Sequence, residues 1–233
     1  MKKRSVAVIT ARGGSKRIPR KNIKEFLGKP IIVYSIEAAI ASGIFDEVMV
    51  STDDEEIAEI AKKAGAKIPF MRSHDTANDY ATTTDVLGEV LQSYQNAGCD
   101  FEYACCIYPT APFVTKECLK EAMTMLMTKG ADSVVPVVRF DFPPQRGLVI
   151  SDEKVKFKWP EHTFTRSQDL EPFYHDCGQF YCVKTESFLE QKSLFMKDTL
   201  PLVRDDREVQ DIDTLEDWEM AELKYHMLHK NDL

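Results

Sequence analysis

The residues best suited to chemistry lie near the two ends of the chain. The first group follows a short apolar run, Val6 to Ile9, and reads Ala11-Arg12-Gly13-Gly14-Ser15-Lys16-Arg17-Ile18-Pro19-Arg20-Lys21-Asn22. Nine of the thirty basic residues fall in the first twenty-four positions, and no acid accompanies them. Glycines let backbone N–H groups approach an oxyanion, while long cations spread charge over several phosphates. The spacing fits neither a P-loop nor a dinucleotide fingerprint. It reads as a grip for a small phosphorylated ligand at the end of a first strand, where open α/β sheets bind ligands. A solvated basic turn is the plainer alternative.

The second group is Gln210-Asp211-Ile212-Asp213. On an extended segment, residues two apart point the same way, so both carboxylates can converge on one cation. Mg²⁺ accepts one or two carboxylates together with substrate phosphates. Asp213 can equally serve as a cap for a helix beginning near Thr214. Two weaker groups lie between. Arg72 with the polar loop Ser73–Thr84 reads either as a rim for a base and ribose or as a solvated loop. Arg166-Ser167-Gln168-Asp169 precedes Tyr174-His175-Asp176. Arg166 is suited to bidentate pairing with a carboxylate. His175 beside Asp176 suggests an oriented imidazole, although adjacent side chains often face apart. No nucleophilic triad and no zinc set is visible.

These groups need a scaffold, and the first 138 residues supply one by alternating strand and helix signals. Val6–Thr10 is a continuous apolar strand of the kind buried on both faces. A helix follows from Ile31 to Ala41, opened by Pro30 and closed by Gly43. Glu47–Ser51 is a strand, and Asp53-Asp54-Glu55-Glu56 begins a helix that Gly65 ends. Lys67–Met71 is expected as a third strand. Val86, Leu87, Val90, Leu91 and Tyr94 repeat at helical spacing. Tyr103–Tyr108, Thr115–Thr128 and Ser133–Val138 read as strand, helix and strand. Residues 139–178 break the rhythm and read as a β-rich excursion, a lid or a dimerisation arm. Gln179–Val183 and Val209–Asp213 are expected strands, and a closing helix starts at Leu215. Phe140, Phe142, Phe157, Trp159, Phe164, Phe173 and Phe180 read as core or interface. The class is α/β, a mainly parallel sheet covered on both faces.

Composition narrows the partners. The 233 residues fit one domain carrying an arm at 139–178, with 43% hydrophobic content sufficient for a core. Residues 25–233 hold 21 basic and 38 acidic side chains, and the whole chain has a net charge of −8. That balance argues against nucleic-acid binding, which wants an extended basic surface. None of the six cysteines forms a metal-ligand spacing, and Cys105 and Cys106 are poorly placed to bridge each other. Free thiols, no signal segment and no membrane span predict a cytoplasmic protein.

At Ala11–Asn22 the sequence resembles the cytidylyltransferases that activate nine-carbon acidic sugars, the sialic acid synthetase family. The likeness continues through Ser51-Thr52-Asp53, Phe70-Met71-Arg72, Tyr108-Pro109-Thr110-Ala111-Pro112 and Asp211-Ile212-Asp213-Thr214. Within that family, Arg17–Asn22 and Tyr174–Tyr181 look most like the branch that acts on pseudaminic acid. The resemblance implies a Rossmann-like nucleotidyltransferase fold, a homodimer joined by the arm, and a reaction of CTP with the sugar's anomeric hydroxyl. It implies that Ala11, Arg12, Gly13, Gly14, Ser15, Lys16, Lys21 and Asn22 hold the nucleotide, with Arg12 and Lys21 on the triphosphate. Arg72 and Thr83 would lie by the cytidine, and Asp211 and Asp213 would hold Mg²⁺. Arg166 would meet the sugar carboxylate, with Tyr108, Gln168, His175 and Gln179 completing the sugar site. Sialic acid enzymes commonly carry Gln where this chain has Tyr108, which speaks against neuraminic acid.

Overall fold

The computed structural model describes residues 5–229. Lys2, Lys3 and Arg4, the start of the basic amino-terminal group, lie outside the described residues. The strands are β1 (Ser5–Thr10), β2 (Glu25–Phe26), β3 (Lys29–Pro30), β4 (Glu47–Ser51), β5 (Tyr103–Ile107), β6 (Ser133–Arg139), β7 (Leu148–Ser151), β8 (Lys154–Phe157), β9 (Tyr174–Asp176), β10 (Phe180–Lys184) and β11 (Thr199–Arg204). The helices are α1 (Ile31–Ser42), α2 (Glu55–Lys63), α3 (Thr83–Asn96), α4 (Lys116–Lys129), α5 (Thr185–Gln191) and α6 (Leu215–Leu228). The main sheet runs β11-β6-β10-β5-β1-β4, with β9 paired to β6 off this path. β1 is parallel to β4 and β5, and β11 to β6, whereas β10 runs antiparallel to both its neighbours.

The period-two rule sorts the side chains of the central strands onto two faces. Ala7, Ile9, Tyr103, Cys105 and Ile107 meet α1, α2 and α4 through Ile32, Ile36, Ile57, Leu119 and Met123. Val6, Val8, Ala104 and Cys106 meet α3 and α5 through Leu87, Val90, Leu91 and Phe188. Helices therefore cover both faces. Cys105 and Cys106 face apart, and all six cysteines are free thiols.

The helix boundaries follow from caps. Asp54 accepts a hydrogen bond from the N–H of Ile57 at 3.0 Å and starts α2. Thr82 with Asp85 and Thr214 with Asp217 form capping boxes at α3 and α6, and Thr115 caps α4. Gly43 ends α1 in the left-handed conformation, φ 61°, where a Cβ is costly.

Three expectations need correction. Lys67–Met71 is not a strand: Lys67 alone bridges Met49, because Pro69 has no N–H with which to extend the ladder. Val209–Asp213 is irregular apart from its helix-flanking role, and β11, unread in the sequence, is the strand that completes that edge. The helix α5 was likewise not expected. Of the 139–178 excursion, only β7 and β8 form a hairpin of their own, while β9 returns to the main sheet and three 3₁₀ turns fill the rest. No helix among the described residues is long and apolar enough to cross a membrane.

Candidate active site

A third apolar cluster explains how residues two hundred positions apart become neighbours. Ile18 of the basic loop and Ile212 of the acidic segment are both buried in it, with Phe26, Ile31, Phe113 and Trp218. Burying Ile212 leaves Asp211 and Asp213 flanking it at the loop's edge. Lys21 donates to the carbonyl of Ile212 at 2.6 Å and lies 3.5 Å from Asp213 Oδ1. Arg17 pairs with the same carboxylate oxygen at 2.7 Å. The cationic loop and the paired aspartates thus share one site.

Arg17 and Lys21, which hold Asp213, also line a cleft of about 240 Å³ beyond the carboxyl ends of β1 and β5, with the two aspartates outside its lining. Thr10, Arg12, Ser15, Lys16, Arg17, Lys21 and Asn22 form one wall; Arg72, Thr82, Thr83, Tyr108, Pro109 and Thr110 form the other. Asn22 is buried and donates to the carbonyl of Arg12 at 2.8 Å, which fixes the turn of the loop. Arg20, in the left-handed region at φ 56°, does not serve the cleft. It pairs with Asp54 and Glu56 and straps the loop to α2. The Arg20 guanidinium holds the Asp54 carboxyl below its usual range.

The glycines act differently from expectation. The N–H of Gly13 donates to Asp53 Oδ1 at 2.9 Å, so a carboxylate of the protein already takes it. A Cβ at Gly13 would lie 2.8 Å from Asp54 Oδ2, and this close approach is what requires glycine. Gly14 has open space around it. Ala11 is buried in the core behind the loop. The side chains of Arg12, Ser15, Lys16, Arg17 and Lys21, rather than Ala11, Gly13 or Gly14, face the cleft.

Arg72 is buried, donating from Nε to Ser51 Oγ at 3.0 Å and from Nη2 to the Ser51 carbonyl at 2.7 Å. Burial lowers its pKa, and the charge of Asp53 works against that. Thr83 Oγ1 lies 3.1 Å from the Tyr108 hydroxyl. Tyr108 is itself fixed by its backbone: Ser35 Oγ donates to its carbonyl at 2.8 Å, and its N–H donates to the carbonyl of Gln179 at 2.8 Å. Burial pushes the Tyr108 phenol up.

Asp211 and Asp213 sit in different surroundings, and among the described residues only Asp213 has cationic partners within reach. Loss of hydration raises the Asp211 carboxyl above the ordinary range, and the neighbouring charge of Asp213 adds to this. A divalent cation relieves a carboxylate whose ionisation a neighbouring carboxylate opposes. Among the described residues no cluster of three or more His, Cys, Asp or Glu side chains stands ready for a metal. A pair of carboxylates with open positions suits Mg²⁺ completed by phosphate oxygens and water.

Four expected sugar contacts stand elsewhere in the single chain. Arg166 is exposed, and its fork is occupied by Asp169 at 2.7 and 3.2 Å. Gln168 borders a separate hollow with Arg139, Phe140 and Phe173. His175 packs on Phe140 with ring centroids 4.7 Å apart, and its Nδ1 lies 2.9 Å from the backbone carbonyl of Asp176 rather than on that residue's carboxylate. Gln179 is 2% exposed and spends its side-chain N–H on the carbonyl of Glu208 at 2.7 Å.

Sequence reasoning missed Asp79. Its carboxylate binds Arg12 at 2.7 Å and also Lys16, spanning the mouth of the cleft. These cations, Lys16 first, hold the Asp79 carboxyl below its usual range. Asp79 is thus charged throughout the neutral range and occupies the cations a phosphate would use. Exposed pairs contribute little individually, so Asp79→Asn is expected to lower the KM for a nucleoside triphosphate by only about two- to fivefold, with kcat unchanged. Steady-state kinetics at fixed ionic strength checks this; a raised KM would show that Asp79 orders the cations instead of competing for them. An acid in the Ser73–Thr84 loop was visible in the sequence, but nothing there linked it to Arg12.

Comparison with known proteins gives the context for this geometry. The cytidylyltransferase family model matches residues 6–199. The chain is 41% identical over 98% of its length to pseudaminic acid cytidylyltransferase of Campylobacter jejuni, covering 99% of that protein. It is 34% identical to CMP-N,N'-diacetyllegionaminic acid synthase of Legionella pneumophila, over 94% of this chain and 95% of that one. Among solved structures, CMP:2-keto-3-deoxy-manno-octonic acid synthetase complexed with CTP superposes with a TM-score of 0.68 at 18% identity, covering 97% of this chain and 99% of that one. At that identity the likeness establishes the fold: a Rossmann-like α/β arrangement shared with other cytidylyltransferases.

Proposed function

Because the chain belongs to the cytidylyltransferase family, we propose that it joins CTP to pseudaminic acid, an acidic nine-carbon sugar, giving the CMP-sugar and pyrophosphate. The observation that carries this reading is the meeting of Lys21 with Asp213 at the edge of a cleft that Arg12 and Lys16 also line. A triphosphate entering the cleft meets these cations and exchanges them for the carboxylate partners they now hold. Arg72 and Thr83, on the opposite wall, take the cytidine. Tyr108 at the inner end takes the sugar.

The chemistry asks for positioning more than for a covalent intermediate. The anomeric hydroxyl oxygen attacks the α-phosphorus in line, the bond to the bridging oxygen breaks, and pyrophosphate leaves while the hydroxyl proton passes to solvent. Charge on the phosphoryl oxygens rises in this step, and fixed cations aimed there lower its barrier. Arg12, Lys16 and Lys21 supply that field from long side chains anchored by Asn22 and Ile18. Among the described residues, no histidine or carboxylate lines the cleft. Asp211 and Asp213 would hold Mg²⁺, which when bound neutralises phosphate charge and steadies the leaving group.

The exposed apolar side chains of the 139–178 arm support a homodimer. Ile150 is 79% exposed and Phe164 97%. Leu148, Val149 and Val155 of the same hairpin are also exposed, and several exposed apolar side chains on one arm suit a partner. Association would bring one arm, with Arg166 and Gln168, toward the other protomer, where Arg166 is free to exchange Asp169 for a sugar carboxylate. Sedimentation equilibrium should give a dimer that Ile150→Asp with Phe164→Asp dissociates.

The activity is tested by a substrate panel. Purified protein with CTP, Mg²⁺ and pseudaminic acid should release pyrophosphate, with a higher kcat/KM than for N,N'-diacetyllegionaminic, N-acetylneuraminic or 3-deoxy-octulosonic acid. Pyrophosphate from none of them would reject the proposal. A non-catalytic nucleotide binder would instead retain CTP affinity without turnover when Asp211 and Asp213 are replaced.

A further inference from the structure

The stretch that carries Asp211 and Asp213 belongs to no strand, so no sheet ladder holds its backbone. Side chains take its carbonyls instead. Lys224, on α6, donates from Nζ to the carbonyls of Val209 at 2.8 Å and Asp206 at 3.0 Å. The same ammonium lies 3.5 Å from the Asp206 carboxylate. Gln179, on β10, donates to the carbonyl of Glu208 at 2.7 Å. Beyond Asp211, Lys21 takes the carbonyl of Ile212 at 2.6 Å. Of these three donors Lys21 lines the cleft, and Lys224 and Gln179 do not.

One helix therefore grips the acidic stretch at two places. Near its start, Asp217 accepts from the N–H of Asp213 at 3.1 Å. Ten residues beyond the Thr214 cap, about 15 Å along the helix by its rise, Lys224 reaches the turn that precedes Asp211. Val209 and Ile212 are buried in separate apolar clusters, which orients the stretch without pairing its polar backbone. The two carboxylates differ in what steadies them. Asp213 has Arg17, Lys21 and the helix start, whereas Asp211 depends on the backbone before it. Lys224 is 20% exposed in its side chain, so its charge-assisted bonds are sheltered from water.

We infer that Lys224 and Gln179 are positioning residues for Asp211: by holding the turn before it, they set where its carboxylate meets a divalent cation. This rests on the metal-assisted reading above. Removing either brace loosens Asp211 while Asp213 and the cationic wall keep their own anchors. Metal affinity should then fall, and affinity for the nucleotide at saturating metal should not.

The test compares Lys224→Met, which keeps the stem and loses the charge, with Lys224→Arg, which keeps charged donors. In Lys224→Met the Mg²⁺ concentration for half-maximal turnover should rise about three- to thirtyfold, the range for losing charge-assisted bonds of a partly exposed cation. At saturating Mg²⁺, kcat and the KM for CTP should stay within about twofold, because the phosphate wall is untouched. Lys224→Arg should recover most of the loss. A merely structural brace would lower kcat and raise both constants together, and that result would overturn the proposal. Two readouts need no turnover. With CTP and no sugar, Mn²⁺ binding followed by its paramagnetic resonance signal should weaken by the same factor. Backbone amide exchange should quicken across residues 206–212 and stay unchanged in α1 and α4. Unaltered Mn²⁺ affinity, or unaltered exchange in that stretch, would overturn the proposal. Gln179→Met is a second variant expected to give the same pattern, and it decides the matter if Lys224→Met does not fold. A wild-type protein that binds no Mn²⁺ with CTP, while the variant still shows faster exchange, would place the failure in the metal-assisted reading and, with it, the ligand role of Asp211.

Discussion

Lys21→Ala is expected to lower kcat/KM for CTP by about a hundred- to a thousandfold, the usual range for removing one fixed group aimed at developing charge. Lys21 is only 19% exposed in its side chain, faces the cleft, and donates to the Ile212 carbonyl at 2.6 Å. It therefore does two things, stabilising phosphate charge and tying the acidic segment to the basic loop. The fold should persist, because Ile18 and Ile212 remain buried in their shared cluster. Circular dichroism and a thermal melt separate the two effects: activity should fall far more than stability. Arg12, half exposed and held by Asp79, should give a smaller loss as Arg12→Ala. Full activity in either variant would contradict the role assigned to that side chain.

Asp211→Asn is expected to lower turnover by about a thousandfold while raising the melting temperature of the ligand-free protein. The sign of the second effect follows from the carboxyl's raised pKa. A folded state that binds the proton more tightly than the unfolded chain is penalised when that proton is removed. Charged Asp211 thus costs stability at neutral pH, and the cost fades as the pH falls through its folded pKa toward the unfolded value. The amide removes the charge and with it the penalty. Asp213→Asn should also lose activity, but without gaining stability, because Asp213 pairs with Arg17 at 2.7 Å and with Lys21. Raising the Mg²⁺ concentration should partly restore Asp213→Asn. A melting temperature that falls in Asp211→Asn would show that its carboxylate is a structural partner and not a poised ligand.

Local signals carried the scaffold well. Val6–Ile9 is apolar at every position because both sheet faces are covered, and the caps at Asp54, Thr115 and Gly43 stand where the chemistry of helix ends predicts. The failures were long-range. Lys67–Met71 has strand composition, yet Pro69 stops the ladder. The β11 segment, Thr199–Arg204, carries Pro201, which disguises an edge strand where proline is tolerated. The antiparallel insertion of β10 between β5 and β6 follows no local pattern.

The site was legible in its residue types and less so in its geometry. A cationic loop and a pair of acids announced themselves by spacing, and Ile212 between the acids was the unused hint that they flank a buried anchor. That Gly13 would be spent on Asp53, and Gln179 on Glu208, depends on tertiary neighbours no sequence window contains.

The most direct measurement is a crystal structure of the protein with CTP and Mn²⁺ in place of Mg²⁺, with the metal located by its anomalous scattering. The expected result is one strong peak between the Asp211 and Asp213 carboxylates and the phosphates, with Arg12 and Lys21 on the same triphosphate. A nucleotide bound away from the Arg12–Lys21 wall, or a metal held without either aspartate, would contradict it.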